Sequence, residues 1–281
     1  SYGKGTTKTN QDRGLIRYLM RHRHSTPFEM VEFKFHAKMP IFVARQWVRH
    51  RTANINEYSL RYSEARDDFY YPQPQNIKFQ SSINKQGRGK EVSKKIKNKV
   101  IKYFEEISQR SFEIYNELNE DGVARELSRA ILPVNLYTEW YWKNDLHNLL
   151  HFIGLRSDTH AQYEIQVYSE AMALSVKKVA PFAWEAYEDY RIFGMYFSKL
   201  EQEIFRSNLP QRIIDDLTED INYQLTATIN DLKPREEKEL YNLYIEQGGD
   251  DNEEDFIIKW KSGNIKKTNI RELKDFKEKI K

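Results

Sequence analysis

The 281-residue chain contains no cysteine. Disulfides, thiolate zinc sites and cysteine nucleophiles are therefore excluded. The chain also has little excess charge, because 45 basic and 42 acidic residues give a net charge of +3. This balance argues against a dedicated nucleic-acid-binding protein, which needs a strong basic excess. The basic character is local instead, which suits small anionic ligands.

Long apolar runs are absent as well, and no signal-peptide pattern opens the chain. We therefore expect no membrane association and a cytoplasmic location. The length suits one large domain with an appendage. Because Lys, Glu and Asp dominate after about residue 206, we predict a functional domain at residues 1–205 and a charged appendage of unknown role at residues 206–281.

Hydrophobic periodicity predicts an α+β fold. Apolar and polar side chains alternate over residues 31–39, which indicates a half-buried strand that Pro40 ends. A second strand is predicted at residues 57–62, with Ser59 and Arg61 on one face. We expect an antiparallel sheet that contains both strands and packs against long helices. Helices are predicted at residues 12–20, 41–48, 91–119, 123–132, 137–152, 158–179 with Asp158 as N-cap, and 184–205, and a polar loop at residues 76–90.

Residues 45–63 contain four arginines, no lysine and one acidic residue, Glu57. Arginine suits planar, bidentate recognition of phosphate or carboxylate, whereas lysine acts as a point charge. The same arginines could instead lie on a solvated surface. Uncharged hydrogen-bonding groups lie nearby in the sequence. They favour a nucleotide ligand, because arginines can bind its phosphate while amide and hydroxyl groups bind the edge of its base. The basic residues are Arg45, Arg49, His50, Arg51 and Arg61, and the uncharged ones are Gln46, Asn56 and Ser59.

Three other clusters could carry chemistry. His22 and His24 stand two residues apart in a predicted turn, where they could bind a metal ion. Arg129 could either pair with Glu126 or bind a ligand. The third cluster consists of Asp145, His147, His151 and His160. It could bind zinc, since His147 and His151 are spaced i, i+4, or it could hydrogen-bond a dinucleotide. A His/Asp metallohydrolase and an RNA-binding module that uses the arginines therefore remain alternatives.

Four blocks of sequence, in order, resemble the flavin-dependent thymidylate synthases. The most specific reads R-H-R, seven residues, then S-x-R at residues 49–61. The others are H-S-T-P-F-E at residues 24–29, S-R-A-I-L-P at residues 128–133 and L-R-S-D-T-H-A-Q-Y-E-I at residues 155–165. The resemblance covers about residues 12–200.

This resemblance implies reductive methylation of dUMP to dTMP. 5,10-Methylenetetrahydrofolate would give the carbon, FAD would carry the hydride and NADPH would supply it. The family also implies a homotetramer with active sites shared between subunits. The absence of cysteine agrees, because the unrelated class of thymidylate synthase needs a cysteine nucleophile.

The resemblance also implies site residues. Arg156 would contact the pyrimidine and stabilise negative charge on it. Ser59 is a second catalytic candidate, but no base is recognisable near it, so we assign it to binding. No metal site is implied, and members of the family differ at positions 145, 147 and 151. The dUMP candidates are Gln46, Arg49, Glu57, Ser59, Arg61, Arg129 and Arg156. The FAD candidates are His24, Thr26, Glu29, Arg49, His50, Arg51, Glu57, Asp145, His147 and His151.

Overall fold

The computed structural model describes residues 9–82 and 85–208. The chain divides into two compact units, Ser1–Gly194 and Met195–Lys281. Every candidate site residue lies in the first unit. The charged appendage predicted from residue 206 onward lies outside the described residues, apart from its first three positions.

The first unit combines helices with an antiparallel sheet, so the predicted α+β class is confirmed. No helix in the described part of the chain is both long and apolar enough to cross a membrane. The strands are β1 (Glu32–Pro40), β2 (Ala53–Glu57), β3 (Lys78–Gln80), β4 (Arg88–Glu91) and β5 (Tyr137–Asp145). The helices are α1 (Thr9–Arg21), α2 (Thr26–Glu29), α3 (Ile41–Trp47), α4 (Lys94–Glu120), α5 (Arg125–Ser128), α6 (Leu146–Arg156), α7 (Tyr163–Val179) and α8 (Pro181–Tyr187), with α9 (Lys199–Asn208) in the second unit.

The main sheet has the strand order β1-β5-β2, and both pairings are antiparallel. Trp142 in the central strand stands opposite Phe35 on one side and Ile55 on the other. β3 and β4 form a separate two-stranded sheet. As predicted, β1 alternates between exposed and buried positions, and it ends at Pro40, where α3 begins.

Trp47 lies at the centre of the core and is fully buried. Its ring contacts Trp140 and Trp142 of β5 edge-on at 5.5 and 5.4 Å, and stacks on Phe152 of α6 at 5.1 Å between ring centroids. Such aromatic contacts add to the free energy gained by burying the rings. They fix the end of α3, from which the arginine-rich segment leaves.

The predicted helix at residues 137–152 is wrong in its first part, where β5 occupies the centre of the sheet. The side chains of Thr138, Trp140, Trp142 and Asn144 are buried at every second position, which is the period of a strand. Aromatic residues favour strands, and here tertiary packing decides the structure. The helix itself, α6, begins only at Leu146 and continues to Arg156.

The second predicted strand is also misplaced. β2 ends at Glu57, and residues 58–63 form a turn in which Ser59 Oγ accepts from the backbone N–H of Arg61 at 3.3 Å. Serine hydroxyls compete with strand pairing in this way. Ser59 and Arg61 therefore do not share a strand face.

Several boundaries differ from the predictions. The loop predicted at residues 76–90 contains β3 and most of β4. α7 is capped at Gln162 rather than Asp158, and the predicted helix 123–132 is the short α5 followed by a 3-10 turn. The helix predicted at residues 184–205 is also interrupted. It consists of the end of α8, a π turn at Glu188–Ile192 and α9.

Candidate functional site

The arginine-rich segment joins α3 to β2. Because buried Trp47 holds the last turn of α3, the next residues must leave the core, and His50 N–H closes the turn by donating to the carbonyl of Trp47 at 3.0 Å. The side chains of Arg45, Arg49 and Arg51 are exposed. Within residues 9–82 and 85–208, none of these three guanidinium groups has an ion pair or hydrogen bond. Their charge is thus available to an anionic ligand.

His50 and Arg156 form the centre of this region. Arg156, the last residue of α6, donates from Nε to His50 Nε2 at 2.9 Å and from Nη2 to the Gln46 carbonyl at 3.3 Å. Burial lowers the pKa of His50 to about 4, and the charges of Arg156 and His151 add to this effect. His50 is therefore neutral near pH 7, accepts at Nε2 and carries its proton on Nδ1.

Burial also lowers the pKa of Arg156 below its usual value. Arginine nevertheless stays charged at any physiological pH. Both of its hydrogen-bond partners are neutral, and no carboxylate pairs with it in the described part of the chain. A half-buried cation without a counter-ion is suited to bind negative charge on a ligand.

A second network begins at Gln46 on α3. Its Nε2 donates to Oε1 of Gln162, and Gln162 Nε2 donates to Glu164 Oε2 at 2.8 Å. Glu164 is 5% exposed and also accepts from Arg88 and Tyr70. Gln162 and Glu164 lie within the sequence block at residues 155–165, but the resemblance implies no role for them, and Tyr70 and Arg88 carry no sequence signal. The sequence showed only an amide and an acid two residues apart, and its signal did not reveal that the acid is buried.

The turn after β2 carries the other candidates. Arg61 pairs with Glu126 of α5 at 3.1 Å, and Arg125 pairs with Glu64 at 2.7 Å. These contacts bring Arg61 beside the segment that holds Arg129. Glu126, which could have paired with Arg129, pairs with Arg61 instead. Arg129 is half-buried, and its guanidinium has no partner among the described residues.

Two further candidates follow from β2 and its turn. Glu57 ends β2 and accepts a hydrogen bond from Thr138 Oγ1 at 2.7 Å. Ser59 Oγ contacts only the backbone N–H of Arg61 among the described groups. No base is therefore placed to activate Ser59.

The candidates near residue 24 lie on and before α2. Buried Phe28 anchors this short helix, which packs against α6. His24 and Thr26 are exposed and Glu29 is half-buried. None of the three side chains has a hydrogen bond to another described residue. The ring of His24 contacts that of Tyr18 at 6.0 Å between centroids.

Asp145 has a structural role that the sequence did not indicate. It caps α6 by accepting from Asn148 N–H at 2.9 Å, and it accepts from Asn148 Nδ2 at 2.7 Å. His147 and His151 are exposed on this helix. No group of three or more His, Asp or Glu side chains within the described ranges is arranged to hold a metal ion.

Arginines without partners among the described residues, beside amide and imidazole groups, suit a planar anionic ligand. Residues 1–182 match the family model described as thymidylate synthase complementing protein. The chain is 47% identical over 258 residues to the flavin-dependent thymidylate synthase of Rickettsia conorii, covering 87% of this chain and 84% of that protein. It is 49% identical over 210 residues to the Dictyostelium discoideum enzyme of the same name, covering 75% and 69%.

A solved structure agrees with this relationship. PolB from Streptomyces cacaoi, a UMP/dUMP methylase bound with 5-Br UMP, superposes with a TM-score of 0.61 and 34% identity, over 66% of this chain and 85% of that chain. The chain belongs to the flavin-dependent thymidylate synthase family.

Proposed function

We propose that the protein methylates dUMP to dTMP, with 5,10-methylenetetrahydrofolate as carbon donor, FAD as cofactor and NADPH as reductant. The observation that carries this proposal is Arg156, a half-buried guanidinium whose partners are both neutral. Membership of the chain in the family supports this reaction, since its relatives are named flavin-dependent thymidylate synthases and PolB is named a UMP/dUMP methylase. We place the catalytic domain within residues 1–205.

Activation of the uracil ring is assigned to Arg156, because the chain has no cysteine to attack the ring. Methylation of a ring carbon requires negative charge to build up on the ring and its carbonyl oxygens. A fixed hydrogen-bond donor aimed there stabilises that charge. Nε and Nη2 of Arg156 are held by His50 and by the Gln46 carbonyl, whereas Nη1 has no partner among described residues. Nη1 is therefore the donor we assign to the uracil.

The phosphate of dUMP is assigned to Arg61 and Arg129. Arg61 is 54% exposed and its partner Glu126 is 61% exposed. An ion pair this exposed stabilises the protein by at most about 1 kcal/mol, so a phosphate dianion can displace the carboxylate. The proposed dUMP contacts also include Gln46, Arg49, Glu57 and Ser59, and Ser59 acts as a binding group.

The residues assigned to FAD fit that cofactor. The anionic pyrophosphate of a flavin dinucleotide needs cationic donors, and Arg49 and Arg51 are exposed and unpaired within the described residues. When bound, FAD supplies the hydride-transfer chemistry. The remaining proposed contacts come from residues on or just before α2, on or just before α6, and between the end of α3 and the end of β2. They are His24, Thr26, Glu29, His50, Glu57, Asp145, His147 and His151.

We further propose a homotetramer in which each active site uses more than one subunit. Within one chain, His50 and its partner Arg156 lie at the start of β2, and Arg61 lies beyond its end. β2 alone spans about 13 Å, so the backbones that carry His50 and Arg61 lie at opposite ends of this strand. Exposed apolar side chains along one face of α7, at Tyr163, Val167 and Leu174, support an interface.

Subunit mixing tests the shared site. We expect Arg61→Ala and Arg156→Ala proteins, each inactive alone, to regain activity when their subunits exchange, because some sites then contain both native arginines. Native mass spectrometry first confirms exchange, and each variant mixed with itself is the control. Exchange without any recovery would place both arginines in one chain's site.

The absorbance spectrum of the untreated full chain tests the proposed function. We expect bound oxidised flavin, and a change in its spectrum on titration with dUMP. A folded protein that holds zinc and no flavin would support a metallohydrolase instead. Flavin-free protein that binds RNA with a steep salt dependence would support an RNA-binding module.

A further inference from the structure

A cavity of about 550 Å³ lies between α4, β4 and the start of α7. Its size is within the range of ligand sites in proteins, about 300–1,000 Å³. Most of its lining is apolar, and aromatic rings form much of it. Phe42 and Tyr70 pack edge-on there at 5.4 Å between ring centroids, and Tyr103 and Phe104 line it from α4. Such walls suit a planar aromatic ligand, because rings pack favourably against one another.

The cavity is distinct from the proposed active site in the residues that form it. None of the side chains assigned to dUMP or FAD lines it. A hydrogen bond connects the two regions, from Gln46 Nε2 on α3 to Oε1 of Gln162, which lines the cavity. The proposed reaction therefore leaves this cavity without an assigned ligand.

A buried carboxylate and a guanidinium form the charged part of the lining. Glu164 is 5% exposed, and Arg88 Nη2 lies 2.6 and 2.7 Å from its two oxygens. Tyr70 and Gln162 also donate to it, at 2.6 and 2.8 Å. Burial acts to raise the pKa of Glu164, but the hydrogen bonds from Arg88, Tyr70 and Gln162 hold it below its usual value. Glu164 is therefore ionised near pH 7, and protein groups already occupy both of its oxygens.

The cations at the cavity, in contrast, have unused donors. Nε and Nη1 of Arg88 have no partner among residues 9–82 and 85–208. Lys99 Nζ lies 5.4 Å from the centroid of the Tyr103 ring, and no carboxylate in the same ranges pairs with it. Two cations beside one carboxylate leave one positive charge at the cavity. A ligand that brings a carboxylate would neutralise this charge and accept hydrogen bonds from the guanidinium.

We propose that this cavity binds an aromatic carboxylate, with the ring between the aromatic side chains and the carboxylate on Nε or Nη1 of Arg88. An uncharged aromatic ligand would leave these donors without a partner, which costs binding free energy. Two sources have this chemistry. One is a free aromatic acid, and the other is the benzoylglutamate end of a folate. The site itself does not depend on the proposed function, whereas the second source does.

Isothermal titration calorimetry of the full chain with naphthoate and with its uncharged amide, naphthamide, tests the site. The acid should bind at least about tenfold more tightly than the amide, because only the acid forms charge-assisted hydrogen bonds. Arg88→Lys keeps a positive charge beside Glu164 but removes Nε and Nη1. It should weaken binding of the acid about tenfold and leave binding of the amide unchanged. Equal affinity of the wild type for both probes, or binding of neither, would overturn the proposal.

Ile107→Trp tests the cavity itself, since Ile107 is an exposed lining residue and the larger ring would fill part of the space. Both probes should then bind more weakly. Ile96→Trp is the matched control, because it makes the same substitution on the same helix at an exposed residue outside the lining. It should change neither affinity. If Arg88→Lys does not fold, this pair carries the test, and wild-type affinities in folded Ile107→Trp protein would contradict the site.

Competition experiments identify the source of the ligand. Displacement of naphthoate by tetrahydrofolate would assign the cavity to the benzoylglutamate end, and absence of displacement would assign it to a free aromatic acid. Displacement by dUMP would overturn a site distinct from the nucleotide. A failure of the site leaves the proposed function intact if dUMP still changes the flavin spectrum. Protein that binds naphthoate as expected but holds no flavin would support the site and contradict the proposed function.

Discussion

Replacing Arg156 by Ala removes the only guanidinium that we assign to the uracil ring. The structure shows Nε and Nη2 of Arg156 already occupied by neutral acceptors at 2.9 and 3.3 Å, so Nη1 is the donor lost to the reaction. Loss of one preorganised donor to developing negative charge costs about 3–4 kcal/mol, or roughly 10²–10³ in rate. We expect thymidylate formation at saturating dUMP to fall by that factor. Oxidation of NADPH should fall far less, because reduction of the flavin does not require ring activation.

Single-turnover assays of each half-reaction separate these effects. Arg110→Ala is the control, since Arg110 is 61% exposed on α4 and forms only surface ion pairs. It should leave both half-reactions unchanged. Arg156→Lys keeps the charge but lacks the planar fork, so it should remain well below wild type. Equal losses in both half-reactions of Arg156→Ala would refute the ring-activation role and indicate a defect in flavin binding or folding.

Three other predictions follow from the site and the tail. Arg61→Ala and Arg129→Ala should each weaken dUMP binding strongly and leave flavin bound; unchanged dUMP affinity in both would remove the phosphate assignment. The folded-state pKa of His50, about 4, lies below the ordinary histidine value of 6.5, so protonation of His50 favours unfolding progressively as pH falls from about 6.5 to 4. His50→Asn should therefore show a smaller loss of thermal stability over that range, and parallel pH profiles would contradict the shift. Truncation after residue 206 should leave flavin bound, and loss of flavin from a folded truncation would show that the tail contributes.

Local signals in the sequence were sufficient for several elements. The alternation of β1, its end at Pro40 and the following α3 were all predicted, because each depends on neighbouring residues. β5 was missed because its tryptophans suit either a helix or a strand. Its place between β1 and β2 depends on contacts with residues about a hundred positions earlier in the chain.

Only some residues of the candidate site could be predicted from the sequence. Arginines such as Arg49 and Arg61 could be singled out because the family motif and the absence of lysine mark them. The network of Gln46, Gln162 and Glu164 could not, because its first two members are 116 residues apart and meet only through the packing of α3 against α7. A sequence pattern names residue types but does not show which way an amide faces.

The most direct test of the central claim is a turnover assay on the flavin-loaded full chain. Protein is incubated with dUMP, NADPH and 5,10-methylenetetrahydrofolate labelled with ¹³C at the methylene carbon, and the nucleotides are analysed by mass spectrometry. We predict dTMP that carries the label, formed only when all three compounds are present. Folded, flavin-loaded protein that consumes NADPH but forms no labelled dTMP would contradict it.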